Sequence, residues 1–221
     1  MTPYRGGGTP ESLVQAARAH GVRDPRLLDA ILATPRAAFV PPKQVGRAYV
    51  DAPVPIARDQ VTTQPSLVAA MIDALTLDGT ELVLEVGTGL GWQTALLARL
   101  AEEVVSVERW PELGRAAREN LHRANIDRAT VVVGDGSQGW PERAPYDAVL
   151  VSAAFPEVPH PLAEQLSDTG RLVMPIGPGG AEAVVLFANG PEGLGSVRRV
   201  TDASFVRLYG ANAFEEEEGT P

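Results

Sequence analysis

The feature that most constrains the fold of this chain is an apolar run that leads into three closely spaced glycines. Residues 82–86 read Leu-Val-Leu-Glu-Val, and Gly87, Gly89 and Gly91 follow before a helical pattern begins at Trp92. Glycine lets the backbone turn sharply and approach a ligand where a side chain would clash. The pattern therefore predicts a strand, a tight turn and a helix that together hold a ligand.

After residue 78, short apolar runs alternate with amphipathic helical patterns, which is typical of βα units around a mainly parallel sheet. The runs 183–187 and 196–200 are separated by a turn sequence and read as an antiparallel pair. We therefore predict an α/β, Rossmann-like fold with a mainly parallel seven-stranded sheet, helices on both faces and antiparallel strands near the C-terminus. The other predicted strands are 81–86, 103–107, 129–133, 147–151 and 170–175, and the predicted helices between them lie near 92–100, 111–124 and 161–166.

The first 78 residues have a different texture. Apolar positions at helical spacing predict two short helices that end at Thr34-Pro35, and Pro65 opens a third. Between them, residues 35–64 are rich in proline and lack a period, which predicts an extended, wrapping and functional loop. The predicted organisation is a helical and acceptor-loop segment (1–78), a core (79–212) and a disordered acidic tail (213–221) within one structural domain.

Composition restricts the classes of partner. The 28 acidic and 19 basic residues give a formal net charge of -9, which disfavours nucleic acid. The chain has no cysteine, and its three histidines are scattered, so we expect no metal site. No apolar run approaches the length of about 18 residues that crosses a bilayer. We therefore expect a cytoplasmic, monomeric protein without a membrane partner.

The spacing of the glycines indicates whether the cofactor is a dinucleotide. The third glycine of a dinucleotide fingerprint would fall on Trp92, so the pattern disfavours a nicotinamide or a flavin. Glu85, two residues before the first glycine, suits a cationic amino-acid ligand better than a pyrophosphate. A surface charge at the end of a strand is the alternative for Glu85.

Two further acids close predicted strands. Glu108 ends an apolar run about 20 residues after the turn, where ribose hydroxyls need an acceptor. Asp135 stands between Gly134 and Gly136 at the next strand end, although it could simply cap a turn. The conjunction predicts S-adenosyl-L-methionine as the cofactor. The predicted cofactor-binding residues are Glu85, Gly87, Thr88, Gly89, Gly91, Glu108, Arg109, Asp135 and Gly136.

Several separate segments resemble the protein-L-isoaspartate (D-aspartate) O-methyltransferase family over roughly residues 13–210. They include Pro35-Arg36-Ala37-Ala38-Phe39, Ala48-Tyr49-Val50-Asp51, Thr63-Gln64-Pro65, Gly134-Asp135-Gly136 and Ala153-Ala154-Phe155-Pro156. The resemblance implies the Rossmann-like fold of class I S-adenosylmethionine-dependent methyltransferases. It also implies methylation of the carboxylate of L-isoaspartyl residues, with D-aspartyl residues as a further candidate acceptor, and repair through a succinimide.

The resemblance also implies an acceptor site. Thr63 occupies the hydroxyl position of the family's active-site motif and is the predicted catalytic residue, although a helix cap before Pro65 is an alternative. The last family strand, residues 204–210, would hold an extended peptide through its backbone. The predicted substrate-binding residues are Tyr49, Asp59, Gln60, Thr62, Gln64 and Val206.

Arg58 and Asp59 depart from the family pattern, because charges replace small residues in the loop of residues 35–64, which we call the acceptor loop. Arg58 could pair with the acceptor carboxylate or face solvent. The departure leaves two other functions open: the same chemistry on an aspartate of a dedicated natural-product precursor peptide, and a non-catalytic S-adenosylmethionine-binding module.

Overall fold

The computed structural model describes residues 8–178 and 180–214. The predicted disorder of the acidic run at residues 215–218 lies outside this range. Ala213 and Phe214, which we assigned to the tail, lie within it, and Phe214 stacks edge to face on Phe155 with ring centroids 5.2 Å apart. No helix in the described ranges is both long and apolar enough to cross a membrane.

The main sheet has seven strands in the order β5-β4-β3-β6-β7-β8-β9. Neighbours from β5 to β7 run parallel, and β8 and β9 are antiparallel to their neighbours, so the predicted fold class is confirmed. The strands are β1 Val54–Pro55, β2 Val61–Thr62, β3 Leu82–Val86, β4 Glu103–Glu108, β5 Ala129–Val133, β6 Tyr146–Val151, β7 Leu166–Ile176, β8 Glu182–Ala188 and β9 Gly195–Ala203. The helices are α1 Pro10–Ala19, α2 Pro25–Ala33, α3 Pro65–Leu75, α4 Trp92–Leu97, α5 Pro111–Arg123 and α6 His160–Glu164.

The central strands are buried on both faces, which explains their continuous apolar sequence. Val83 and Val104 face a large cluster that includes side chains of α1, α2 and α3. Leu84 and Val105, one position later, face a second cluster on the other side of the sheet. The N-terminal helices are therefore packed on the same core as the sheet.

Several predicted boundaries differ from the structure. Helix α4 ends at Leu97 because the next turn tightens, with the amide of Leu100 bonded to the carbonyl of Leu97 at 2.9 Å. Strand β7 begins at Leu166, which pairs with Tyr146 across an irregularity in the ladder, so α6 ends earlier and β7 begins earlier than predicted. Residues 35–64 are less extended than predicted, since they contain 3-10 helices at Arg36–Phe39 and Pro42–Arg47 and the β1-β2 hairpin.

Candidate active site

A cavity opens at the carboxyl ends of β3, β4 and β6, and the glycine turn forms its floor. Gly87, Gly89 and Gly91 have φ angles of 97°, 57° and 91°, which side chains other than glycine rarely adopt. A Cβ atom on Gly91 would also lie 3.4 Å from side chains of Ala117 and Leu121. The turn therefore needs glycine for its conformation, whereas a Cβ atom at Gly91 would only make ordinary contact with α5.

Glu108 lies at the end of β4 and lines this cavity with 5% of its surface exposed. Its carboxylate accepts hydrogen bonds from the backbone amides of Gly89 at 2.8 Å and Trp110 at 2.9 Å. Burial raises the pKa of Glu108 above its ordinary value. Backbone amide donors use only part of the capacity of a carboxylate, so Glu108 can still accept bonds from a ligand.

Glu85 is completely buried and does not line the cavity, which excludes a surface charge at a strand end. It accepts hydrogen bonds from Ser106 Oγ, Thr94 Oγ1 and Gln93 Nε2. Burial raises the pKa of Glu85 to about 7, against the opposing effect of these donors. Glu85 is therefore linked to the cavity indirectly: Gln93 lines the cavity, and Ser106 is hydrogen-bonded to Thr88 of the glycine turn.

Asp135 and Gly136 follow β5, and only Gly136 lines the cavity. The carboxylate of Asp135 accepts bonds from the amides of Ser137 at 2.9 Å and Ala211 at 2.7 Å. Burial opposes the ionisation of Asp135, but these bonds outweigh it and hold its pKa below the usual value. Asp135 thus caps a turn, as one alternative proposed, and it also fixes the C-terminal segment beside the site.

A second cavity adjoins the first and is bounded by His20 after α1, by the acceptor loop, by Leu67 of α3 and by the segment 201–206. Thr63 lines both cavities. The helix-cap alternative for Thr63 is wrong, because the cap position of α3 falls on Gln64 and Asp51 binds the amide of Ser66 at 2.8 Å. The Thr63 side chain is therefore available at the junction of the two cavities.

The charged turn of the acceptor loop lies at the tip of the β1-β2 hairpin. Arg58 and Asp59 both have positive φ angles, 62° and 53°, which explains why small residues suit these positions. Arg58 forms an ion pair with Glu112 and lies over the ring of Trp110, 4.9 Å from its centroid. Arg58 is exposed, as the solvent-facing alternative expected, and it also links the hairpin to the start of α5; its pairing with the acceptor carboxylate stays a prediction.

Arg36 is fully buried and its guanidinium is hydrogen-bonded to several parts of the acceptor loop. Its guanidinium donates to the carbonyls of Ala48 and Ala52, and to Thr62 Oγ1 at 2.6 Å. Further bonds reach the carbonyls of Val50 and Thr63. Desolvation by burial lowers the pKa of Arg36 to about 10, so the guanidinium stays charged near neutral pH.

The structure brings most of the predicted site residues together. Of the predicted cofactor-binding residues, those that line the first cavity are Gly87, Thr88, Gly89, Gly91, Glu108, Arg109 and Gly136. Of the predicted acceptor residues, Gln60, Thr62 and Thr63 line the first cavity, Gln64 lines the second, and Val206 lines both. Tyr49 and Asp59 line neither cavity: Tyr49 packs against the core and Asp59 occupies the hairpin turn.

Sequence reasoning missed Ser152, Trp110 and Tyr209, which also line the first cavity. The rule that strand ends meet at one edge of the sheet could have found Ser152, since it directly follows β6. Trp110 stands two residues after Glu108, but from the sequence alone it could equally be a packing residue. Tyr209 lies in the segment 204–210 that the family resemblance assigned to the acceptor peptide, but only the backbone of that segment, and not this side chain, was expected at the site.

Comparisons with known proteins identify the family. The model of the family Protein-L-isoaspartate(D-aspartate) O-methyltransferase matches residues 9–213. A protein-L-isoaspartate O-methyltransferase of Anaeromyxobacter dehalogenans is 49% identical over 193 residues, which cover 85% of this chain and 91% of the relative. One of Methanoculleus marisnigri is 52% identical over 161 residues, 73% of each chain.

Solved structures give the same picture of the fold. A protein-L-isoaspartate O-methyltransferase superposes with a TM-score of 0.79 and 28% identity, covering 93% of this chain and 67% of the other. A protein of Plasmodium falciparum, described as a protein-L-isoaspartate O-methyltransferase in complex with S-adenosyl-L-homocysteine, gives a TM-score of 0.78 at 22% identity, covering 92% and 99%. The family match over nearly the whole chain, together with these relatives, shows that this chain belongs to the protein-L-isoaspartate(D-aspartate) O-methyltransferase family.

Proposed function

We propose that this protein transfers a methyl group from S-adenosyl-L-methionine to the carboxylate of L-isoaspartyl residues in damaged proteins and peptides, which starts their repair through a succinimide. The observation that carries the proposal is the junction of two cavities at Thr63. One cavity has the glycine turn and the strand-end acid that suit the cofactor. The other opens toward the C-terminal segment that would receive a peptide.

The residues of the first cavity fit S-adenosyl-L-methionine. The buried carboxylate of Glu108 faces the cavity with acceptor capacity left, which suits a pair of ribose hydroxyls. The glycine turn presents backbone without side chains, so a ligand can lie against it closely. Gly136 and Trp110 add further walls where an adenine ring could pack.

The main task of the protein in this reaction is to position the acceptor carboxylate and the methyl donor. When bound, S-adenosyl-L-methionine supplies an electrophilic methyl group. An acceptor carboxyl with a pKa of about 4 is already ionised near neutral pH, so no general base is needed. The protein must hold the carboxylate in line with the methyl group and keep water away. Thr63 would orient the carboxylate through its hydroxyl group, and the hairpin fastened by Arg58 would cover the site.

The two other functions have less support. Family membership and the near-complete match to relatives named for isoaspartate favour general repair over a dedicated precursor peptide. A non-catalytic binding module is disfavoured because the acceptor loop is built around an extensive hydrogen-bonded core at Arg36. We further propose that the protein is a cytoplasmic monomer that acts on proteins and does not bind nucleic acid or membranes.

The cofactor assignment is tested by calorimetry with S-adenosyl-L-homocysteine on the wild type and on Glu108→Ala. Loss of bonds between a charged acceptor and two hydroxyls should weaken binding about tenfold or more. Glu142→Ala, which removes an exposed acid that does not line the cavity, is the control and should bind normally. Unchanged affinity in Glu108→Ala would remove this residue from the cofactor site.

A further inference from the structure

The wall between the two cavities contains a second hydroxyl group besides Thr63. Four residues line both cavities: Val61, Thr63, Ser152 and Val206. Two of these side chains are apolar, so Thr63 and Ser152 supply the polar side chains of the shared wall. A group transferred from a ligand in one cavity to a ligand in the other must pass beside this wall.

Ser152 is held in place by its neighbours. It directly follows β6, and its amide donates to the carbonyl of Val86 at 2.9 Å. Its Cβ would lie 3.4 Å from a Cβ atom built on Gly87, so the serine packs against the first glycine of the turn. Gln93 Nε2 donates to Ser152 Oγ at 2.9 Å, and the same amide group donates to the buried carboxylate of Glu85. Ser152 is therefore connected to the rigid support of the cofactor cavity.

The bond from Gln93 determines what the hydroxyl of Ser152 can still do. An amide NH₂ group can only donate, so Ser152 Oγ acts as the acceptor in this contact. A serine hydroxyl also has one proton to donate, and within residues 8–178 and 180–214 no hydrogen bond uses it. Ser152 is only partly buried and lines both cavities. Its proton is thus available to a ligand at the junction.

We propose that Ser152 is a second acceptor-orienting residue, which donates a hydrogen bond to the substrate carboxylate while Thr63 contacts it from the acceptor loop. The inference rests on the proposed function. A carboxylate has two oxygens, and a bond to the oxygen that does not attack the methyl group fixes its orientation without occupying the attacking lone pair. Gln93 acts through Ser152 as a positioning residue.

The experiment compares Ser152→Ala with the wild type in two measurements: steady-state methylation of an isoaspartyl peptide and calorimetric binding of S-adenosyl-L-homocysteine. Removal of a hydrogen bond to a charged group should lower kcat/KM for the peptide about tenfold, mainly through a higher KM. The affinity for S-adenosyl-L-homocysteine should change less than about twofold, because the cavity floor and Glu108 are intact. Ser152→Thr keeps the hydroxyl and should restore most of the lost kcat/KM.

Ser167→Ala is the matched control. Ser167 is a partly buried serine at the start of β7, where its hydroxyl contacts Asp147 and it lines neither cavity. Its variant should keep the wild-type KM. The assignment is overturned if Ser152→Ala keeps the wild-type kcat/KM, or if peptide and S-adenosyl-L-homocysteine affinities fall together, which would show a structural role. A wild type that binds S-adenosyl-L-homocysteine but methylates no isoaspartyl peptide would instead reject the proposed function, and the Ser152 assignment with it.

Discussion

At the scale of single residues, the unusual group is Glu85, a carboxyl that is completely buried on the central strand β3, close to the first cavity but not lining it. Its position before the glycines predicted a role in the cofactor site, and that role remains a prediction. The sequence could not reveal that Thr94 and Ser106, from α4 and β4, would bind it, because they are distant in the chain. The structure places Glu85 where its protonation state affects stability.

The pKa of Glu85 predicts a pH dependence of unfolding. In the unfolded chain the carboxyl titrates near 4.5, and in the folded protein burial raises its pKa to about 7. Between these values the native state holds the extra proton, so the free energy of unfolding falls as the pH rises from 4.5 to 7 and then levels off. Glu85→Gln should reduce the loss of stability between pH 5 and pH 8 by about 2 kcal/mol. Urea titrations of both proteins at several pH values measure the difference, and parallel curves would refute the prediction.

At the scale of structural elements, helices α1, α2, α3 and α5 follow from helical spacing and from proline at their starts. The structure of the acceptor loop could not be predicted from the sequence. The loop is organised around one buried side chain, and such a segment has no local hydrophobic period. Arg36 joins carbonyls at Ala48, Val50 and Ala52 to the second strand of the hairpin. Its position in the family-like segment was visible in the sequence, whereas its partners were not.

Arg36→Met should therefore loosen the acceptor loop. The substitution leaves several buried carbonyl groups without a donor, which should lower the free energy of unfolding by about 3 kcal/mol. Hydrogen exchange of amides in residues 48–62 should become faster. Arg47→Met is the control, since Arg47 is exposed in the same loop and reaches only the carbonyl of Pro53 at 3.5 Å. Equal stability of the two variants would contradict the central role of Arg36.

At the scale of the whole molecule, alternating strands and helices were enough to predict the Rossmann-like sheet, and the predicted strand ends meet at the first cavity. Trp110 and Tyr209 were not predicted to line the cavity, because the direction of their side chains depends on contacts that the sequence does not show. The shared core of sheet and N-terminal helices supports our view of one structural domain. The division at residues 78 and 212 remains a prediction.

The measurement that tests the central claim most directly is transfer of a labelled methyl group from S-adenosyl-L-methionine to two peptides that differ only in isoaspartate or aspartate at one position. We predict labelling of the isoaspartyl peptide alone, and a rate that falls at least about tenfold in Thr63→Ala while S-adenosyl-L-homocysteine still binds. Labelling of neither peptide by a wild type that binds S-adenosyl-L-homocysteine, or equal labelling of both, would contradict the account.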